Sequence, residues 1–230
     1  MLISIVTPTL NEETTLPHRA TELAAQTPPW EWIVADGGSR DATISVGTSL
    51  GARVVASPRG RGLQLNAGAA LAQGEVLLFL HADTVLPPGS LEAIRAALVE
   101  PRLIGGNFDL RFEGEDRASQ VLTGLNRAQR RLFNVYYGDS AIFVRREVFE
   151  SLGGFRDYPI MEDYDFVQRM KRLGKTTCLP LTVTTSARRY RGRIVKTAAI
   201  WGSIFLLYNL GVPPSRLVRL YAAPGEGGNR

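Results

Sequence analysis

The sequence predicts an α/β fold built on a mixed, mostly parallel sheet with helices on both faces. Two observations carry that expectation. Short runs rich in β-branched residues alternate with stretches of helical length through the first hundred residues, the pattern of successive βαβ units. The strand runs are also nearly continuously apolar, as a sheet buried on both sides requires.

The elements follow in order. ISIVTPT (3–9) reads as the first strand, followed by a helix near 13–26 that stops before Pro28-Pro29. EWIVAD (31–36) is the second strand, with a helix near 41–50 ended by Gly51; ARVVAS (52–57) is the third, with a helix near 62–72 ended by Gly74. EVLLFLH (75–81) is the fourth, with a helix near 89–99. Beyond Pro101 the pattern loosens into a strand at 103–112, a helix at 116–134 and a strand at 140–146. EDYDFVQRMKRLG (162–174) is a helix with acids at its start and bases at its end, an order that complements the helix dipole.

The chain has 230 residues, enough for one substantial core, and 44% apolar with 21% charged residues is ordinary for a globular protein. One cysteine excludes an internal disulfide and fits a reducing, cytoplasmic setting; two histidines make a His-rich zinc site improbable. The first residues lack the basic region of a secretory signal. The net charge of +5 hides an asymmetry: residues 1–165 carry 15 Lys+Arg against 21 Asp+Glu, whereas residues 166–225 carry 11 Lys+Arg and no acid. Such a basic third suggests an anionic partner, with a solvated helical face as the plain alternative.

Residues 194–210, IVKTAAIWGSIFLLYNL, are the most hydrophobic stretch and are borderline in length for a membrane span, which takes about 20 residues. Arg188, Arg189, Arg191 and Arg193 precede it, and Arg216 and Arg219 follow. Flanks this symmetric favour a helix lying on an anionic membrane surface, with the inner face of the membrane as a peripheral location. Packing on the protein's own core is the competing expectation. A nucleic-acid partner is not expected, because nothing resembles a reading helix or a stacking module. The division expected is a domain over 1–186, a basic, apolar helical extension over 187–222 and a frayed tail over 223–230.

The chemistry gathers at strand ends. Thr7, Pro8, Thr9, Asn11 and Glu12 follow the first strand; Asp36, Gly37, Gly38, Ser39, Arg40 and Asp41 follow the second; SPRGRGLQLN follows the third; His81 and Asp83 follow the fourth. Strand positions i and i+2 point the same way, so His81 and Asp83 are expected to project together. Any one cluster also reads as turn or cap chemistry, and Asp83 could simply cap a turn. Four at one edge of a doubly wound sheet point to a binding crevice there. Its residues suit a nucleotide diphosphate: Asp36 to accept from a base or ribose, Arg59 and Arg61 to approach phosphate, Gln64 and Asn66 as neutral contacts, and Asp83 as a hard ligand for Mg²⁺ or Mn²⁺. The absence of GxGxxG after the first strand, and of GxxxxGK[ST], disfavours a dinucleotide fold or a P-loop ATPase.

Taken together, SIVTPTLNEE, WIVADGGSRDAT, GRGLQLNAGAALAQGEVLLFLHADT and MEDYDFVQRMKRLGK resemble the family 2 glycosyltransferases with the GT-A fold over residues 1 to about 185. The resemblance implies that Pro8, Thr9 and Glu12 line a nucleotide pocket, with Gly38 on the same edge. It implies that Asp36 contacts the base, and that the D-x-D position, which binds ribose and a divalent metal, falls on His81-Ala82-Asp83. Histidine in the first position departs from the family; imidazole suits Mn²⁺ better than Mg²⁺.

The resemblance further implies that Asp163 is the base of an inverting transfer, with Glu162 in support, although both acids also cap a helix. Asn107, Tyr137 and Asp139 fall in the acceptor segment. The compact chain is similar to a bacterial subgroup sometimes associated with arsenosugar biosynthesis. The implied reaction moves a sugar from a nucleotide-diphosphate donor to a hydroxyl of a small metabolite, or to a lipid phosphate. Two other classes compete: a sugar-phosphate nucleotidyltransferase, whose Gly-rich basic loop TPTLNEE lacks, and a non-catalytic nucleotide-sugar-binding or membrane-adaptor module, which His81 makes conceivable.

Overall fold

The computed structural model describes residues 1–114, 117–133, 135–186 and 194–221. Arg188, Arg189, Arg191, Arg193 and the tail at 223–230 lie outside the described residues.

Eight strands form one mixed sheet. The first four are β1 (Ile3–Thr9), β2 (Trp30–Asp36), β3 (Arg53–Ala56) and β4 (Val76–Phe79), separated by α1 (Leu16–Ala24), α2 (Thr43–Ser49) and α3 (Arg61–Leu71). They pair in parallel in the order β3-β2-β1-β4, the doubly wound half that the sequence predicts. Alternation along each strand feeds two cores. Ile3, Ile5, Val34 and Leu78 face α1 and α4 (Ser90–Ala97), whereas Val6, Ile33, Leu77 and Phe79 face α3 and α7 (Glu162–Leu173). A strand with both faces covered has no polar side to show, hence the unbroken apolar runs.

The second half adds β5 (Thr84–Val85), β6 (Leu103–Phe112), β7 (Ile142–Arg145) and β8 (Lys175–Thr185). β7 runs antiparallel between β4 and β6, β6 pairs in parallel with β8, and β5 returns antiparallel on the edge of β8. The sequence reading did not anticipate β5, β8 or the short helix α6 (Arg146–Ser151). β8 begins one residue beyond the helical pattern of α7, so a single Gly174 marks the change of element. α5 (Arg117–Phe133) is tied to β6 by ion pairs from Arg127 and Arg130 to Asp109.

The hydrophobic stretch forms α8 (Ile194–Asn209), followed by α9 (Pro214–Tyr221). One side of this pair packs on the protein's own core: Ile204 and Leu217 join Val135, Ile160, Met161 and Tyr164 in a third apolar cluster. The other side leaves Leu206, Leu210 and Leu220 exposed. No helix among the described residues is long and apolar enough to cross a membrane.

Candidate active site

The carboxyl ends of β1, β2 and β4 lie next to one another, and the chain after each carries the polar residues picked out above. A cavity of about 170 Å³ opens beside them, lined by Arg61, His81, Asp83, Tyr137, Asp139 and Asp163 together with apolar residues. Residues separated by a hundred positions are thus assembled by the crossover from the parallel to the antiparallel half of the sheet.

His81 and Asp83 reach the cavity by a different route from the one expected. β4 stops at Phe79, so the two residues sit on a turn closed by the Thr84 amide donating to the His81 carbonyl (3.1 Å), not on one face of a strand. The turn is braced from behind. Arg19, buried on α1 and paired with Glu22, donates from Nη2 to the Ala82 carbonyl at 2.9 Å. Burial lowers the Arg19 pKa, and the charges of Glu22 and Asp83 pull it back up. Sequence reasoning missed Arg19. The available signal was its place on the apolar stripe between Leu16 and Leu23, where a charge needs a reason.

On the opposite side, α7 presents its acidic start. Asp163 Oδ2 accepts from the Gly138 amide and Oδ1 from the Tyr164 amide, each at 2.7 Å, so the carboxylate is held at both ends. Glu162 is fully buried and ion-paired with Arg61 of α3. Its pKa is raised by burial, with Asp163 adding to the shift and Arg61 opposing it. Among the described residues its Oε2 has no hydrogen-bond partner, and neither does Asp139 Oδ1. Burial, then repulsion from Asp163 and Asp83 against the attraction of Arg61, pushes the Asp139 carboxyl up to about 7. Burial and Asp163 likewise raise the Tyr137 phenol, which stays protonated at neutral pH.

Backbone geometry at this wall is unusual. Met161, immediately before Glu162, has φ +69°, and Ala141, two residues after Asp139, has φ +53°. Left-handed conformations in residues bearing a Cβ mark local strain and cluster at functional sites. Gly138 is a second feature that the sequence reading passed over. A Cβ there would come within 2.9 Å of His81 Nε2 and 3.3 Å of Asp163 Oδ2, so only glycine lets these two side chains flank the same backbone.

Several of the expected contact residues also hold the framework together. Asp36 is buried outside the cavity lining, and its oxygens accept from the Gly38 and Ser39 amides and from the Thr9 and Ser39 hydroxyls. It shapes the loop at Gly38 (φ +90°). Gln64 donates to the Thr9 and Ala35 carbonyls (2.8 and 2.9 Å), tying the ends of β1 and β2 together. Asn66 exchanges two hydrogen bonds with the Phe155 backbone. Asn107 does not reach the site: it is buried within β6 and donates to the Phe108 carbonyl. Asp83 and Asp163 therefore share the cavity, and Asp36 underpins its neighbour. Pro8 ends the apolar run of β1, Glu12 starts the turn into α1 with its carbonyl accepting from Thr15 and Leu16, and Arg59 is exposed on the loop before α3.

Among the described residues no three His, Cys, Asp or Glu side chains form a ready-made metal cage. Asp83, exposed on its turn, and His81 beside it still offer one hard oxygen and one imidazole nitrogen at the cavity. That donor set fits a cation that takes its remaining ligands from phosphate and water.

A profile of glycosyl transferase family 2 matches residues 4–153. A PGL/p-HBAD biosynthesis glycosyltransferase of Mycobacterium bovis (strain BCG / Pasteur 1173P2) is 32% identical over 178 residues, 72% of this chain and 68% of the relative. The mannosyltransferase PcManGT from Pyrobaculum calidifontis, solved with GDP-Man and Mn²⁺, superposes with a TM-score of 0.71 at 17% identity, covering 96% of this chain and 68% of that one. Glucosyl-3-phosphoglycerate synthase from Mycobacterium tuberculosis, solved with Mn²⁺, UDP and glucosyl-3-phosphoglycerate, gives 0.63 at 22% identity over 92% and 81%. The architecture is that of the GT-A glycosyltransferases. The chain belongs to glycosyl transferase family 2, and it is an enzyme that transfers glycosyl groups.

Proposed function

We propose that the protein is an inverting glycosyltransferase that draws a sugar from a nucleotide-diphosphate donor and delivers it to an acceptor hydroxyl, with Asp163 as general base. The observation that carries this reading is the doubly anchored Asp163 carboxylate lining one cavity with Asp83 and Arg61. Each Asp163 oxygen keeps a lone pair beyond its amide contact, so one can take the acceptor proton as the acceptor oxygen bonds to the anomeric carbon. The bond from that carbon to the diphosphate breaks, and Arg61 lies where it can meet the departing charge. Glu162 holds Arg61 in place.

Asp83 and His81 would hold a divalent ion, Mn²⁺ or Mg²⁺, which when bound neutralises diphosphate charge. Mn²⁺ accompanies nucleotide in both solved structures named above, and this supports the assignment. Pro8, Thr9, Glu12, Gly38 and Arg59 are assigned to the donor edge, with Asp36, Gln64 and Asn66 as its supports; Tyr137 and Asp139 are assigned to the acceptor side. The transferase unit is assigned to residues 1–186 and the helical extension to 187–222. The exposed Leu206, Leu210 and Leu220 beside exposed Arg216 and Arg219 support peripheral contact of that extension with an anionic membrane. Flotation with phosphatidylglycerol vesicles checks this contact, and absence of binding rejects it.

The transferase reading is tested with a panel of nucleotide sugars, with and without Mn²⁺, scored by thermal shift and donor turnover. Wild type is expected to be stabilised by one donor and to turn it over. Equal turnover by wild type, Asp83→Ala and Asp163→Asn would reject the residue roles.

A further inference from the structure

The cavity has two chemically different walls. One is the ionic wall already described. The other is mostly apolar and includes Phe112 of β6, Pro159 and Ile160 ahead of α7, and Trp201 and Ile204 of α8, with Thr185 and Ser186 as further polar lining residues. The reaction proposed above uses only the first wall, because diphosphate, hydroxyl and proton are all handled there. Beyond the ionic wall a fully hydrophilic acceptor would meet only Thr185 and Ser186 as polar side chains, and hydroxyls set against Phe112, Trp201 and Ile204 would lose water without finding partners.

Part of this apolar lining comes from α8, outside the sheet. α8 follows the last strand and turns Trp201 and Ile204 to the cavity, while Leu206 on the same helix and Leu210 just beyond its end stay exposed. Part of the cavity's apolar lining and part of the exposed apolar surface of the extension thus belong to one helix. An occupant with a polar head and an apolar body matches both walls at once.

We propose that the acceptor is amphipathic, with its reacting hydroxyl at Asp163 and an adjoining alkyl or aryl group against Trp201 and Ile204. This rests on the transferase reading for the hydroxyl's role, but the apolar subsite can be tested without turnover. The probes are glucose, methyl, butyl and hexyl β-D-glucoside, and phenyl β-D-glucoside, titrated calorimetrically into the full chain. Affinity is expected to rise roughly threefold per added methylene over the first few carbons, or by tenfold or more from methyl to phenyl. A rise confined to the alkyl series assigns a lipid-like chain, and a rise confined to phenyl assigns an aromatic acceptor; either supports the subsite.

Trp201→Ala is expected to lose at least tenfold of the hexyl or phenyl affinity while keeping the thermal shift caused by the nucleotide sugar. Trp201→Phe is expected to restore most of that affinity. No gain across both probe series in wild type overturns the proposal, and that measurement needs no variant to fold. Loss of glucose and hexyl glucoside affinity to the same extent in Trp201→Ala overturns it too. If nucleotide sugars give no shift while the alkyl dependence holds, the transferase reading fails and the apolar subsite stands; the reverse result sinks the subsite alone.

Discussion

The strand ends proposed as the donor edge and the wall around Asp139 and Glu162 are built on opposite terms. At the donor edge the polar side chains are satisfied by the fold itself. Asp36 is saturated by its own loop, Gln64 ties β1 to β2, and Asn66 closes a reciprocal pair with Phe155. At the other wall, Asp139 and Glu162 each leave a buried oxygen without a partner among the described residues, and Met161 and Ala141 hold left-handed backbone. Buried polar atoms without partners and strained residues both cost stability, so they persist where the surroundings over-determine them. The difference teaches that one side is a preformed cradle, and the other stores unmet electrostatic demand that a proton, a substrate or a cation can answer.

Four substitutions can break or sharpen that contrast, beginning with the largest effect. Asp163→Asn should lower transfer by on the order of a thousandfold while leaving donor binding within about twofold, measured by single-turnover kinetics alongside calorimetry. Transfer near the wild-type rate would move the base elsewhere. Asp83→Ala should weaken Mn²⁺-dependent donor affinity by about a hundredfold and leave the metal-free affinity little changed. An identical loss with and without Mn²⁺ would show that Asp83 acts on the nucleotide directly.

The pH dependence of Asp139 comes next. Its folded pKa of about 7 lies above the ordinary carboxylate value, so the folded state binds the proton more tightly than the unfolded chain does. Its contribution is therefore lost as pH rises from the unfolded value, near 4, through about 7, and the penalty is complete above that. Urea unfolding in EDTA should show Asp139→Asn gaining on wild type by roughly 2 kcal/mol between about pH 5 and about pH 8. A pH-independent difference would mean that Asp139 is ionised throughout. The smallest effect is expected at Gln64: Gln64→Ala removes two buried hydrogen bonds, although the Thr9 carbonyl keeps the Gly37 amide, and should cost about 1 to 2 kcal/mol of stability, with kcat nearly unchanged once the protein is folded. A large fall in kcat at full stability would place Gln64 in contact with substrate.

How legible the molecule is from its sequence depends on the range of the interactions concerned. β1 and β2 begin and end within a residue of where apolar runs and breakers place them, because strand burial on two faces leaves a local signature. The acidic start of α7 is equally plain, since charge order along a helix is read within a dozen residues. β8 was missed because its residues alternate without a strong apolar run and follow a helix after one glycine. The strand geometry expected for His81 and Asp83 was wrong because β4 stops when β1 no longer offers it a partner beyond Val6. Asn107, Gln64 and Asn66 show the same limit, since a polar side chain carries no local mark of whether it turns to a ligand or to a neighbouring carbonyl.

The resemblance to family 2 glycosyltransferases supplied the candidate transferase residues, whereas the sequence by itself determined the alternating α/β plan, the apolar strands and the acidic helix start. These follow from periodicity, charge order and residue type, which act over one or two elements. Only the tertiary structure decided that Arg19 braces the turn carrying Asp83, that Gly138 leaves room for His81 and Asp163, and that α8 walls the cavity with Trp201 and Ile204. Those outcomes depend on contacts between residues tens to more than a hundred positions apart, and such contacts are set by how whole elements pack.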